Sequence, residues 1–229
     1  MAMATQGQPV ILYKDEAVMV IDKPAGMVVN RAESVIGKTI QDWVEQNFQF
    51  PMMERSGIAH RLDKETSGCL VIAKKPEVLV ELMRQFKERE VKKTYVALVH
   101  GRMEPEEGAW RLPISRSRLD RTEFRVDPFG KVAETAYRVK QVYEGYTLVE
   151  LFPKTGRTHQ LRVHLKHLKH PIVADEKYLT TKQAKSDQGW CPRMFLHATA
   201  ITFKQPETGQ IITVVANLPK ELDAVIQVL

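Results

Sequence analysis

Apolar residues recur along this chain mostly in short runs of strand length bounded by turn residues, and only a few segments space them as a helix does. Residues 10–13 and 17–21 flank Lys14-Asp15-Glu16 and predict a hairpin. Gly37-Lys38-Thr39 opens a predicted helix with Ile40, Trp43, Val44 and Phe48 on one face. The apolar run of residues 69–73 predicts a buried strand. Lys75-Pro76 then starts a second helix, with Val78, Leu79, Leu82, Met83 and Phe86 at helical spacing. Residues 92–99 read as a strand with Tyr95, Ala97 and Val99 on one face and Thr94, Val96 and Leu98 on the other. Further hairpins are predicted for 131–142 with 146–152 across Glu144-Gly145, and for 200–203 with 211–216 across residues 205–209. Thr158 is placed to cap a helix through Leu168, ended by His170-Pro171, and Leu218-Pro219-Lys220 leads a closing helix bearing Leu222, Val225 and Ile226. Hairpins joined by helices that do not alternate with strands argue for an α+β protein with a mainly antiparallel sheet.

Composition narrows the class. The 229 residues, 43% of them apolar, are enough for one large domain or two lobes, and no break in composition or internal repeat marks an added module. Residues 1–9 read as a flexible tail and 10–229 as one domain. The tail has neither the basic region nor the apolar core of a secretory signal, and no segment approaches the roughly 18 apolar residues of a membrane helix. The cysteines, Cys69 and Cys191, cannot form a disulfide framework, which fits a reducing compartment and a cytoplasmic protein without membrane attachment. A net charge of +6 suits a polyanionic partner, although many basic proteins bind none.

The candidate chemistry centres on residues 57–68, where Asp63 lies between Arg61 and Lys64 on a turn-rich loop that feeds the buried strand. A rigid strand can hold such a carboxylate while neighbouring cations keep it ionised, as an anionic nucleophile needs; the plain alternative is an aspartate capping a turn. Tyr95 has a plain alternative too, as an aromatic on a half-buried strand. Along the helix after Thr158, Leu161, His164, Leu165 and Leu168 share a face for the core. His159, Arg162, Lys166 and Lys169 share another, either a solvated surface or one turned to a polyanion. Residues 111–125 hold five arginines against two acids, with proline and serines, and read as a projecting loop. His164, His167 and His170 recur every third residue, which does not converge three ligands, so no metal is expected. No strand leads into a Gly-rich phosphate loop, so no nucleotide cofactor is expected either.

Three motifs carry a family resemblance. His60-Arg61-Leu62-Asp63-Lys64-Glu65-Thr66-Ser67-Gly68 resembles the signature loop of the RluA-type pseudouridine synthases, which isomerise uridine within RNA. Gly156-Arg157-Thr158-His159-Gln160-Leu161-Arg162-Val163-His164 resembles their second long motif, and residues 92–99 their tyrosine strand. Weaker similarities lie in residues 20–26 and in Leu196-His197-Ala198. The resemblance implies the pseudouridine synthase fold, a bent mixed sheet flanked by helices with a central catalytic cleft. It also implies a catalytic domain without the N-terminal RNA-binding module of many relatives, working as a monomer without a cofactor. It makes Asp63 the nucleophile or base, and Arg162 its bidentate partner, which favours the ionised carboxylate and fixes its direction. Tyr95 then stacks beneath the target uracil with its hydroxyl near carbon 5. His60, Arg61, Arg116, Arg118, Arg121, His159 and Leu196 contact the RNA or the substrate, Arg61 filling the stack that the flipped uridine vacates. The expected target is ribosomal RNA, with transfer RNA the alternative. Rival readings are a non-catalytic RNA-binding protein on the same scaffold and a hydrolase using Asp63 with Glu65. The chain departs from the family at Ser117-Arg118-Leu119 and at Ala174-Asp175, where relatives carry Gly-Asp, which weakens a turn prediction there.

Overall fold

Asp15 closes the first hairpin by offering its carboxylate to the chain behind it. Its Oδ1 accepts from the backbone N–H groups of Ala17 and Val18 at 2.8 and 2.6 Å, turning β1 (Val10–Lys14) into β2 (Val18–Lys23). The computed structural model describes residues 7–33, 35–50 and 52–229, so residues 1–6 of the predicted tail lie outside it. Thr39 caps α1 (Ile40–Asn47) in a capping box with Asp42, and Ile40 and Val44 are buried as predicted. β3 (Ser67–Ala73) is buried along its whole length and pairs antiparallel with β2. In α2 (Pro76–Lys87), Val78, Leu79 and Leu82 face the core, but Met83 is 40% exposed and Gln85 is buried instead. Hydrogen bonding lets Gln85 occupy that place: its amide exchanges two bonds with the backbone of Lys204, at 2.8 and 3.1 Å.

The chain continues through β4 (Lys92–His100), β5 (Glu107–Arg111), β6 (Ile114–Arg116), β7 (Phe124–Val126), β8 (Glu134–Tyr143) and β9 (Tyr146–Pro153). Then come α3 (Gln160–His167), α4 (Thr181–Gln188), β10 (Leu196–Lys204), β11 (Ile211–Val215) and α5 (Lys220–Gln227). Two compact units result. One runs to Lys92 and includes Ala198–Asn217; the other joins Lys93–His197 to Leu218–Leu229. In the first, the strands lie in the order β1-β2-β3-β10 with β11 on β10, over a core of Val18, Val20, Val71, Leu82, Ile201 and Phe203. In the second, the order is β4-β9-β8-β5, every pairing antiparallel.

The predicted faces of β4 hold. Tyr95, Ala97 and Val99 join a cluster with Val149, Leu151, Leu161 and Leu165, whereas Val96 and Leu98 join Val173, Phe195 and Leu222. The fold class is the expected one, α+β with a mostly antiparallel sheet and flanking helices. Not every element was legible. β5 begins inside the Pro105-Glu106-Glu107-Gly108 stretch and shows no alternation, and α4 has almost no apolar face, although Thr180 and Gln183 form a capping box that marks its start. No helix among the described residues is long and apolar enough to cross a membrane.

Candidate active site

The Asp63 loop is fastened from beneath by a lysine. Lys23 is fully buried at the end of β2, and its ammonium donates to the carbonyls of Pro24, Met27 and Lys64 at 2.8, 2.9 and 3.1 Å. The Gly26 N–H adds a second tie to the Lys64 carbonyl at 2.8 Å, and the Thr66 N–H closes the turn onto the Asp63 carbonyl at 3.1 Å. Leu62, Thr66 and Ser67 are buried while Asp63 itself stays half-exposed. Gly68 enters β3 at φ +114°, where a Cβ would stand 2.3 Å from the Ala198 carbonyl oxygen, so no other residue fits. His60 is tied into the fold: Nε2 accepts the Val71 N–H at 3.1 Å and the ring lies 4.5 Å from that of Phe86. Arg61 is exposed. Lys64, expected to flank Asp63, turns to Glu65 at 3.8 Å, a solvated pair.

In the second unit, Tyr95 stands half-buried opposite Leu151 and shares its cluster with Leu161 of α3 and with Leu196, which is buried at the start of β10. Helix α3 begins later than Thr158 predicts. His159 is its N-cap in the left-handed conformation, φ 54°, without a side-chain cap. Gln160 is the reason. Its Oε1 accepts the Thr155 hydroxyl at 2.7 Å and the Arg157 N–H at 3.0 Å, and its Nε2 donates to the Glu134 carbonyl and the Thr135 hydroxyl, so the turn is satisfied without Thr158.

The expected basic stripe on α3 is broken at its centre, because Arg162 is buried. Its Nε and Nη2 donate to the two oxygens of Asp175 at 2.8 and 2.6 Å, and both side chains are over nine-tenths buried. Asp175 also accepts the N–H groups of Lys177 and Tyr178 at 3.2 and 3.3 Å. The Tyr178 ring lies 4.9 Å from the guanidinium carbon. Lys166 and Lys169 remain exposed. His164 faces the core: its ring bonds the Thr135 hydroxyl at 3.2 Å and the Leu112 carbonyl at 3.0 Å, and burial holds its pKa below the ordinary histidine value.

The arginine-rich segment is a hairpin rather than a loop. β6 and β7 pair antiparallel from Ile114 opposite Val126 to Arg116 opposite Phe124. Tyr178 anchors it, its buried hydroxyl accepting the Phe124 N–H at 3.0 Å and lying 2.7 Å from Nδ1 of His159. Lys177 reaches the Thr122 hydroxyl at 2.8 Å. Arg116, Arg118 and Arg121 are exposed, Arg116 over the Phe124 ring at 4.8 Å. The departure at Ala174 leaves its turn intact. Ala174 adopts φ 57° and donates its N–H to buried Asp187 at 2.8 Å. Sequence reasoning gave no role to Lys23, Asp175 or Tyr178. Asp175 stood out only as part of a departure, and a lone tyrosine or a lone lysine gives no local signal.

Comparison with known proteins supplies the context. Residues 17–167 match the model of the family described as RNA pseudouridylate synthase. The chain is 38% identical over 95% of its length to ribosomal large subunit pseudouridine synthase D of Nitrosomonas europaea, and 35% identical over 94% to synthase C of Pasteurella multocida. It spans 64% and 66% of the lengths of these two relatives. Against solved structures, it superposes on human RNA pseudouridylate synthase domain containing 1 with a TM-score of 0.78 and 28% identity, covering 98% of this chain and 90% of that one. For human RNA pseudouridylate synthase domain containing 4 the TM-score is 0.74 and the identity 26%, covering 95% and 92%. Both long motifs, the clamped Asp63 loop and the start of the Arg162 helix, fall inside the matched residues. The chain belongs to the RNA pseudouridylate synthase family.

Proposed function

We propose that this protein isomerises uridine in RNA to pseudouridine, with Asp63 as the acting carboxylate. The observation that carries this reading is the Asp63 loop. Inside the family match, a half-exposed acid sits on backbone immobilised by a buried lysine and by the close approach at Gly68. A turn aspartate with no chemistry to perform needs no such support.

Basic residues hold the RNA through its phosphates, and the target uridine leaves its stack at a cost of a few kcal/mol. Asp63 breaks the bond between uracil N1 and ribose C1′, by attacking C1′ or by taking the C2′ proton. Arg162, its plane fixed by Asp175, is the cation that favours the charged carboxylate. The detached uracil turns over on Tyr95 and rejoins through C5, and the Tyr95 hydroxyl relays the surplus C5 proton to water, from which N1 is protonated. Ribosomal RNA is the favoured substrate, because the relatives named above are large-subunit ribosomal synthases.

RNA carrying tritium at uracil C5 tests the reaction. Isomerisation releases tritium and leaves the strand whole, hydrolysis leaves abasic sites, and binding alone does neither. Offering large-subunit ribosomal RNA and bulk transfer RNA separately tests the substrate. Release from transfer RNA alone ends the ribosomal assignment and keeps the chemistry.

A further inference from the structure

Lys93 lies two residues before Tyr95 on the same face of β4, roughly 7 Å away along the strand. It is half-buried, and its ammonium donates a long bond to the Thr155 carbonyl at 3.5 Å. No aspartate or glutamate among the described residues pairs with it, whereas in the same unit Arg162 has Asp175, Arg193 has Glu221, and half-buried Lys177 has the Thr122 hydroxyl at 2.8 Å. A desolvated ammonium without a counter-charge destabilises the fold, and burial pulls its pKa down to about 8. Such a group is kept where an anion visits.

We propose that Lys93 is a catalytic residue that holds the negative charge on uracil after it detaches from the ribose. The inference rests on the pseudouridine synthase reading. When N1–C1′ breaks, by either route, the bonding pair stays on uracil, which leaves as the N1 anion with charge shared onto O2 and O4. No proton passes to it. Lys93 donates a hydrogen bond to a uracil oxygen while Tyr95 carries the ring, and keeps its own proton throughout. When C5 bonds to C1′, the pair returns to the new bond and Asp63 is released from C1′, or gives back the C2′ proton on the other route. The C5 proton then passes to the Tyr95 hydroxyl as that hydroxyl hands its own proton to water, from which N1 is protonated, so Tyr95 ends as it began. The ammonium therefore serves a charge present after bond breaking and absent from bound substrate, so its effect falls on turnover rather than affinity.

Single-turnover tritium release and RNA affinity are measured for the wild type, Lys93→Met and Lys93→Arg. Lys93→Met should slow turnover by about 100-fold with affinity nearly unchanged, as for loss of one preorganised charge donor, and Lys93→Arg should recover part of it. Substrate containing 5-fluorouridine, whose uracil leaves more readily as an anion, should shrink the Lys93→Met defect in strand-scission-free glycosidic cleavage. A defect equal on both substrates overturns the proposal, as does weakened affinity with unchanged turnover, which would make Lys93 a phosphate ligand. Should Lys93→Met fail to fold, Lys93→Arg compared on the two substrates decides the same question. Wild-type protein that releases no tritium from any RNA defeats the synthase reading itself, a result distinct from an active wild type indifferent to Lys93.

Discussion

Replacing the Asp63 carboxylate by an amide keeps its size and removes its charge, so Asp63→Asn isolates the chemistry from the packing. Isomerisation should fall by more than about 100-fold while RNA affinity stays near wild type, because an essential nucleophile or base contributes at least that much. Tritium release with a parallel binding assay checks it, and residual activity above a hundredth removes Asp63 from the mechanism. Tyr95→Phe asks the same of a hydroxyl: the ring still fills its cluster beside Leu161 and Leu196, so binding should hold and turnover should collapse. Equal modest losses in both would mark Tyr95 as packing. Lys93 makes a prediction about stability. Its pKa of about 8 when folded lies below its value in the unfolded chain, about 10.4. Between these values the unfolded chain holds a proton that the folded one has released, so stability should rise with pH across that window. Below it both forms are protonated and the full penalty acts. Lys93→Met should therefore raise the Tm at pH 7 while lowering activity. A lower Tm would show that Lys93 supports the fold rather than opposing it.

At the scale of elements, legibility followed the reach of each signal. The Lys14–Glu16 turn, the Thr39 cap and the alternation through Tyr95 are local, and each formed where the sequence placed it. The start of α3 differs from its prediction because Gln160, reaching to Glu134 and Thr135, overrides the cap that Thr158 offers. The arginine-rich stretch reads as a loop in sequence because what stiffens it, the Tyr178 hydroxyl, comes from a segment more than fifty residues on. The Arg162–Asp175 pair is hidden for a similar reason: nothing about the spacing of thirteen residues says that a turn at Ala174 will bring them face to face. The Asp63 loop shows the energetic side. Lys23→Met leaves three carbonyls without their shared donor, and losing several bonds to a buried charged group should cost about 3 kcal/mol or more. Denaturant unfolding measures that loss, and amide exchange at Gly26, whose N–H bonds the Lys64 carbonyl, should quicken more than exchange in β11. Uniform quickening would mean that Lys23 supports the unit as a whole and not the loop in particular.

For the molecule as a whole, a net charge of +6 predicts that RNA affinity weakens steeply with salt, but net charge alone does not say which cations touch phosphate. The surroundings of each cation narrow the field. Arg31, Arg84 and Arg193 are each occupied by carboxylates, and Arg162 is buried against Asp175. Arg116, Arg118 and Arg121 instead stand exposed on a hairpin whose turn end is pinned through Phe124 and Thr122, so gripping a phosphate there requires little further ordering. Replacing all three with glutamine should leave the fold unchanged, since none belongs to a core cluster. The slope of log affinity against log salt should then become shallower by about 2 to 3, one unit or slightly less for each phosphate no longer neutralised. If the hairpin grips the strand as proposed, and takes no part in breaking the glycosidic bond, turnover at saturating RNA should survive. Affinities measured from low to moderate salt for both proteins decide it. An unchanged slope would move the phosphate-binding surface elsewhere, with exposed Lys166 and Lys169 of the α3 region next to be tested.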